Sequence, residues 1–297
     1  MRQVLSAHAP APKPAGFGRF ISRPEPPRKD RGMDVPFSIN IKPAAGLVRR
    51  HNRWIVAGSI VLAIAVWHLL SLSPSLGSYI LPGPLRVGQR FVQALSDGTL
   101  LRHTSATLLE VMLGLLAGSL AASVLGYLIA KSSLLERLLS PYLIASQAVP
   151  VAAIAPLLVI WFGPGLFSKV LICSLTVFFP ILVNTVVGMR AVPKNLRDLM
   201  HSMQATRMQT LRHLELPAAL PVLLGGLRVG ATLSVIGAVV GEFVGADRGL
   251  GFLINVARGQ FDTPLVFVAV LTLIGMALAL YGMVLLAERR LLAWQAR

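Results

Sequence analysis

Apolar residues gather along this chain in six long runs, at about 54–73, 107–130, 141–162, 168–189, 218–243 and 264–287. A helix needs about 20 apolar residues to cross the hydrocarbon core of a bilayer. The pattern therefore predicts an all-α membrane protein with six transmembrane helices. The third and fourth runs are separated by Gly163-Pro164-Gly165, a turn signal. Between the fourth and fifth runs the pattern changes. Residues 190–217 are polar, yet Leu196, Leu199, Met200 and Met203 recur at helical spacing, as do Met208, Leu211 and Leu214. Two short amphipathic helices are expected there, meeting near Gln204-Ala205-Thr206. Such helices suit a bilayer surface or a groove on another protein.

The polar ends set the domain plan. Residues 1–45 are rich in Pro, Arg and Ala and hold few large apolar side chains. They are read as a disordered basic tail ahead of a six-helix transmembrane domain at 46–297. The first apolar run begins only near Trp54, so no signal peptide is expected.

Composition supports the membrane reading. The 297 residues are 55% hydrophobic and 13% charged, about half the charge of a soluble domain. Net charge is +16, and 11 of the 28 Lys and Arg lie in residues 1–53. Basic residues just ahead of an apolar run point to a membrane surface, not to nucleic acid. With the N-terminus in the cytoplasm, cytoplasmic segments hold 21 basic residues and external loops 5; Lys169 and Arg228 fall at or within spans. That imbalance places both termini inside.

Several positions inside the spans stand out. Gly114, Gly118, Ala122 and Gly126 form a small-residue stripe on one helix face, suited to close packing within the chain or with a second copy. Pro150 and Pro156 interrupt the third run, with Gln147 one turn before Pro150, and Asn184 follows Pro180 in the fourth. Backbone groups freed by proline are tolerated in a membrane where protein or a water-filled cavity satisfies them. Gln147, Pro150 and Asn184 are thus candidate pathway residues, beside the alternatives of a structural bend and an interhelical hydrogen bond. Arg228 is embedded in the fifth run, where an ionisable side chain must snorkel, pair or face a polar cavity. It is the fourth pathway candidate, with intrachain pairing the alternative.

Enzyme chemistry finds no footing. The chain has no G-x-x-x-x-G-K-[ST] phosphate loop and no Ser-His-Asp or Cys-His arrangement. Its six His are scattered, His103 among them in an expected external loop, and Cys173 is the single cysteine. No metal site and no bound cofactor are expected on this chain.

Residues 198–217 carry a resemblance. The spacing Asp198-Leu199-Met200, Gln204, Leu214, Leu216-Pro217 matches the loop of permease subunits from bacterial binding-protein-dependent ABC importers. There the pattern is Glu-Ala-Ala, three residues, Gly, nine residues, Ile, one residue, Leu-Pro. Asp198 stands for Glu, Leu199-Met200 for Ala-Ala and Gln204 for the glycine. The stretches QAVPVAAIAPLLVIWFGPG (147–165), FFPILVNTVVGMRAVP (178–193) and GEFVGADRGLGFLI (241–254) resemble the nitrate, sulfonate and taurine branch of these permeases.

The resemblance implies a type I importer fold and a multi-pass transporter subunit of the bacterial cytoplasmic (inner) membrane, not an enzyme. Two permease copies would build the pore, an external substrate-binding protein would deliver solute, and a cytoplasmic ABC ATPase dimer would hold ATP and Mg. Residues 194–217 would be the coupling loop. Asp198, Arg207 and Arg212 would contact the ATPase, Met203, Gln204 and Ala205 would form the buried knob, and Leu199, Met200, Leu214, Leu216 and Pro217 would complete the element. A small oxyanion or sulfonate is the favoured solute, with a riboflavin-type or thiamine-precursor vitamin as the alternative. An ion-coupled transporter would need carboxylates within the membrane. Only Glu110 and Glu242 qualify, and both are expected near external ends. A scaffold protein would leave the proline-broken run and the loop unexplained.

Overall fold

A computed structural model describes residues 48–73 and 80–293. The tail at 1–45 lies outside them. The described residues fold into helices without strands. In order these are α1 (Val48–Ser71), α2 (Pro84–Ser96), α3 (Thr99–Lys131), α4 (Ser133–Gln147), α5 (Val151–Phe162), α6 (Leu166–Arg190), α7 (Lys194–Ser202), α8 (Arg207–Thr210), α9 (Leu216–Gly245), α10 (Leu250–Gly259) and α11 (Thr263–Leu291). A π turn at Leu211–Glu215 joins α8 to α9.

Four helical stretches are long and apolar enough to cross a membrane: α3, α6, the run from α8 through α9, and α11. The fifth candidate, α4 with α5, is a pair bent by 94°. This corrects the expectation of one kinked span at 141–162. Pro150 has no N–H and holds its predecessor out of the helical region, so the run breaks into two helices, whereas Pro156 is absorbed inside α5. The described apolar part of α1, Ala57–Ser71, is shorter than a span.

Two connections expected as loops are helical. In α2, Val87 and Ala94 are buried while Arg90 reaches Asp262 at 2.8 Å. In α10, Leu250, Leu253 and Ala257 are buried. Helix α3 starts at Thr99, eight residues ahead of its apolar run, because Gly98 adopts φ 75 and the Asp97 carboxylate accepts from the Thr99 N–H at 2.9 Å. At 1.5 Å per residue its 33 residues span about 50 Å, well beyond a hydrocarbon core of about 30 Å.

Helix α6 is the centre, packed along α3 on one side and α9 on the other. The small-residue stripe makes the first contact possible. A Cβ at Gly118 would stand 2.7 Å from the Ser174 carbonyl oxygen, and one at Gly126 would stand 2.7 Å from Thr185 Cβ. Gly114 lies against Cys173, and Ala122 is fully buried. Val111, Val177, Ala231, Ala238 and Val268 carry the core outward to α9 and α11.

Candidate functional site

The stretch 194–217 forms a helix–turn–helix. Helix α7 ends in a Schellman motif: the Gln204 N–H donates to His201 O at 2.9 Å and the Ala205 N–H to Met200 O at 3.0 Å. Gln204 takes the left-handed position of that motif, with φ 56. Thr206 then opens α8 with a capping box closed by Gln209. The result is a defined corner displaying Leu199, Met203 and Met208, with Met203 70% exposed. Asp198 and Arg207 are exposed on the same element. Leu214, Leu216 and Pro217 lie past the corner, where the chain turns into α9.

This corner stands on charged footings. Glu215 in the π turn is 1% exposed and receives Lys131 from the end of α3; Arg197 of α7 lies 3.7 Å away. The Arg197 guanidinium also donates to Met189 O. Beside it Arg190, at the end of α6, grips Glu136 of α4 with both terminal nitrogens, at 2.6 and 2.7 Å. Sequence pattern alone does not mark Lys131, Glu136, Arg190, Arg197 or Glu215 as members of one network. The one local signal is Glu215 itself, among only 12 acidic residues and lying directly before Leu216-Pro217.

Three of the four pathway candidates come together. Gln147 and Pro150 line a cavity of about 500 Å³ at the α4–α5 break, together with Asn184, Thr176, Phe179 and Pro180 of α6. The Asn184 amide donates to Pro180 O at 2.8 Å, and its side chain packs on Gly226 of α9. Arg228 is elsewhere. It pairs with Glu288 of α11, and its guanidinium carbon lies 5.5 Å from the Tyr281 ring centre.

At the end opposite the corner a buried polar cluster joins α3, α6, α9 and α10. Thr107 donates to Glu242 at 2.7 Å and accepts from the Leu250 N–H at 2.8 Å; the Gly251 N–H also donates to Glu242. Lys169 lies 3.3 Å from Glu110. His103, expected in a loop, lies in α3, accepts from the Gly249 N–H at 3.0 Å and stacks on Phe252. Glu110 and Glu242 are thus packed inside the bundle, with Glu242 three residues before the end of α9. The turn Gly249-Leu250-Gly251 closes over the cluster, its three backbone N–H groups donating in order to His103, Thr107 and Glu242. Nearby Asp247, in the connecting loop, has its carboxyl held below the usual range, chiefly by Arg248. Among the described residues, no three His, Cys, Asp or Glu side chains gather to hold a metal ion.

A multi-span helical bundle with a polar helix–turn–helix corner and a broken span is the architecture of a membrane permease subunit. Residues 114–293 match the family described as binding-protein-dependent transport system inner membrane component, and the chain belongs to that family. It is a transporter subunit, the permease of an ABC importer, not an enzyme.

Among its relatives is the riboflavin transport system permease protein RibX of Chloroflexus aurantiacus, 48% identical over 80% of this chain and 89% of the relative. The formylaminopyrimidine transport permease protein ThiX of Halalkalibacterium halodurans is 36% identical over 74% and 87%. The taurine transport system permease protein TauC of Escherichia coli is 33% identical over 80% and 88%. A crystal structure of an amino acid ABC transporter with histidines superposes with TM-score 0.54 over 67% of this chain and 98% of that one, at 18% identity, a likeness of fold.

Proposed function

We propose that this chain works as one half of a two-copy pore with both termini in the cytoplasm. An external binding protein delivers its solute, and the α7–α8 corner docks into a groove on a cytoplasmic ATPase dimer that holds ATP and Mg. The observation supporting this reading is the corner itself. Its apolar tip at Leu199, Met203 and Met208 is exposed, yet the frame is fixed by a Schellman motif, a capping box and the Glu215 footing. Exposed apolar side chains on a rigid frame suit a partner groove. The solute belongs to the classes that the relatives' names span. These are a small sulfonate or similar anion, as the motifs favour, or a vitamin or pyrimidine precursor.

Co-purification with the cognate ATPase tests the docking. Wild-type protein should retain the ATPase, and Met203→Asp/Gln204→Arg should lose it while keeping its elution profile in detergent. Retention by the double variant would move the docking surface elsewhere. Failure of the wild type to bind any ATPase would remove the coupling reading.

A further inference from the structure

The cavity at the α4–α5 break has a chemistry that narrows the solute, given the reading of this chain as the pathway-forming subunit. We propose that this cavity receives an uncharged, carbonyl-bearing aromatic heterocycle, the chemical class of flavins and pyrimidines, in preference to a small oxyanion or sulfonate.

Charge is the first argument. No Lys, Arg, His, Asp or Glu is among the described residues lining the cavity. A sulfonate taken from water into a low-dielectric site needs a cation or several strong donors. The two cations embedded in spans are already committed elsewhere: Lys169 lies 3.3 Å from Glu110, and Arg228 pairs with Glu288 beside Tyr281. Helix α5 starts at the cavity, at Val151, with no side-chain cap. A helix start carries about half a positive charge. That orients a carbonyl oxygen and falls short of balancing a full anion.

The neutral groups present match the proposed solute. Thr176 spends its hydroxyl proton on Ile172 O at 2.8 Å, and Asn184 spends an amide proton on Pro180 O. Thr176 is then left as an acceptor, while Asn184 keeps one N–H and its carbonyl oxygen, a pair that matches the alternating N–H and C=O edge of such a ring. The Gln147 amide offers donors and an acceptor at the end of α4. Phe179, set edge-on to Phe178 at 5.2 Å between ring centres, supplies an aromatic wall, and rings stack on such walls in offset geometry. About 500 Å³ sits within the range of organic-ligand sites, roughly 300–1,000 Å³.

Thiol protection tests this. Cys173 is buried, so Val183→Cys on the cavity rim, in the permease–ATPase complex in liposomes, gives one reactive site; Ile236→Cys, exposed on α9 outside the lining, is the control. The probes are riboflavin, uracil, taurine and nitrate. Riboflavin or uracil at ten times its dissociation constant should slow maleimide labelling of Val183→Cys about tenfold, with the control unchanged. Protection by taurine or nitrate alone would overturn the solute class and leave the pathway reading standing. Protection by none of the four would overturn the proposal, and ATPase co-purification reports separately whether the permease reading survives. Gln147→Lys provides a second readout: it should weaken riboflavin protection and admit taurine.

Discussion

Arg228 of α9 and Glu288 of α11, sixty residues apart in sequence, form an ion pair beneath the Tyr281 ring. Both side chains are about three-quarters buried. The pair ties the helix that carries the α7–α8 corner to the last helix of the bundle.

Removing one partner leaves the other charge poorly solvated. Glu288→Gln should cost about 1–3 kcal/mol, read as a lower melting temperature in detergent. Arg228→Met/Glu288→Met should recover most of the loss, because replacing both charges by apolar groups is often nearly neutral. A double variant as unstable as the single one would show that the pair is not the source of the cost.

Gln204 occupies a left-handed backbone position, φ 56, which costs a non-glycine residue about 1–2 kcal/mol. Gln204→Gly should therefore firm the corner and slow amide exchange at Ala205, whose N–H closes the Schellman motif. Gln204→Val, β-branched, should loosen it. Faster exchange in the glycine variant would contradict this.

Close approach along α3 makes the glycine stripe intolerant. Gly118→Val should cost at least about 1–3 kcal/mol through overpacking against Ser174 and Val177. Gly275→Ala on α11, with open space around its Cβ position, should be neutral or gain about 0.5–1 kcal/mol. Thermal melts of the two variants in one detergent compare them directly.

The Asp97 carboxyl is held below its ordinary value, chiefly by the Thr99 backbone N–H. Because the folded value is depressed, this contact persists as pH falls through the usual aspartate range and is lost only below it. Comparing Asp97→Asn with the wild type checks this. As pH falls from the usual aspartate range through the lower folded value, the local stability at the start of α3, read by hydrogen exchange, should decline in the wild type and stay level in the variant.

Sequence periodicity carried much of this architecture. Runs of about 20 apolar residues located α3, α6, α9 and α11, and helical spacing located the α7–α8 corner. Helices α2 and α10 escaped because Arg86 and Arg90, and the ten-residue length of α10, keep them from reading as spans. The 94° bend was invisible because proline marks where a helix can break without stating by how much. The Thr107–Glu242 and Lys131–Glu215 contacts span 135 and 84 residues. No local pattern reports such pairings, which depend on how α3 lies beside α9.

The π turn at Leu211–Glu215 has a mechanical consequence. It lets α8 and α9 run as one continuous helical stretch, Arg207–Gly245, of 39 residues. The one surplus residue of the π turn sets the compass bearing of α8 around the axis of α9. Deleting a single residue there would tighten the turn to α geometry and swing Met208 by about 100° around the axis. The direction in which this protein presents its tip is thus written in one residue's worth of helical phase.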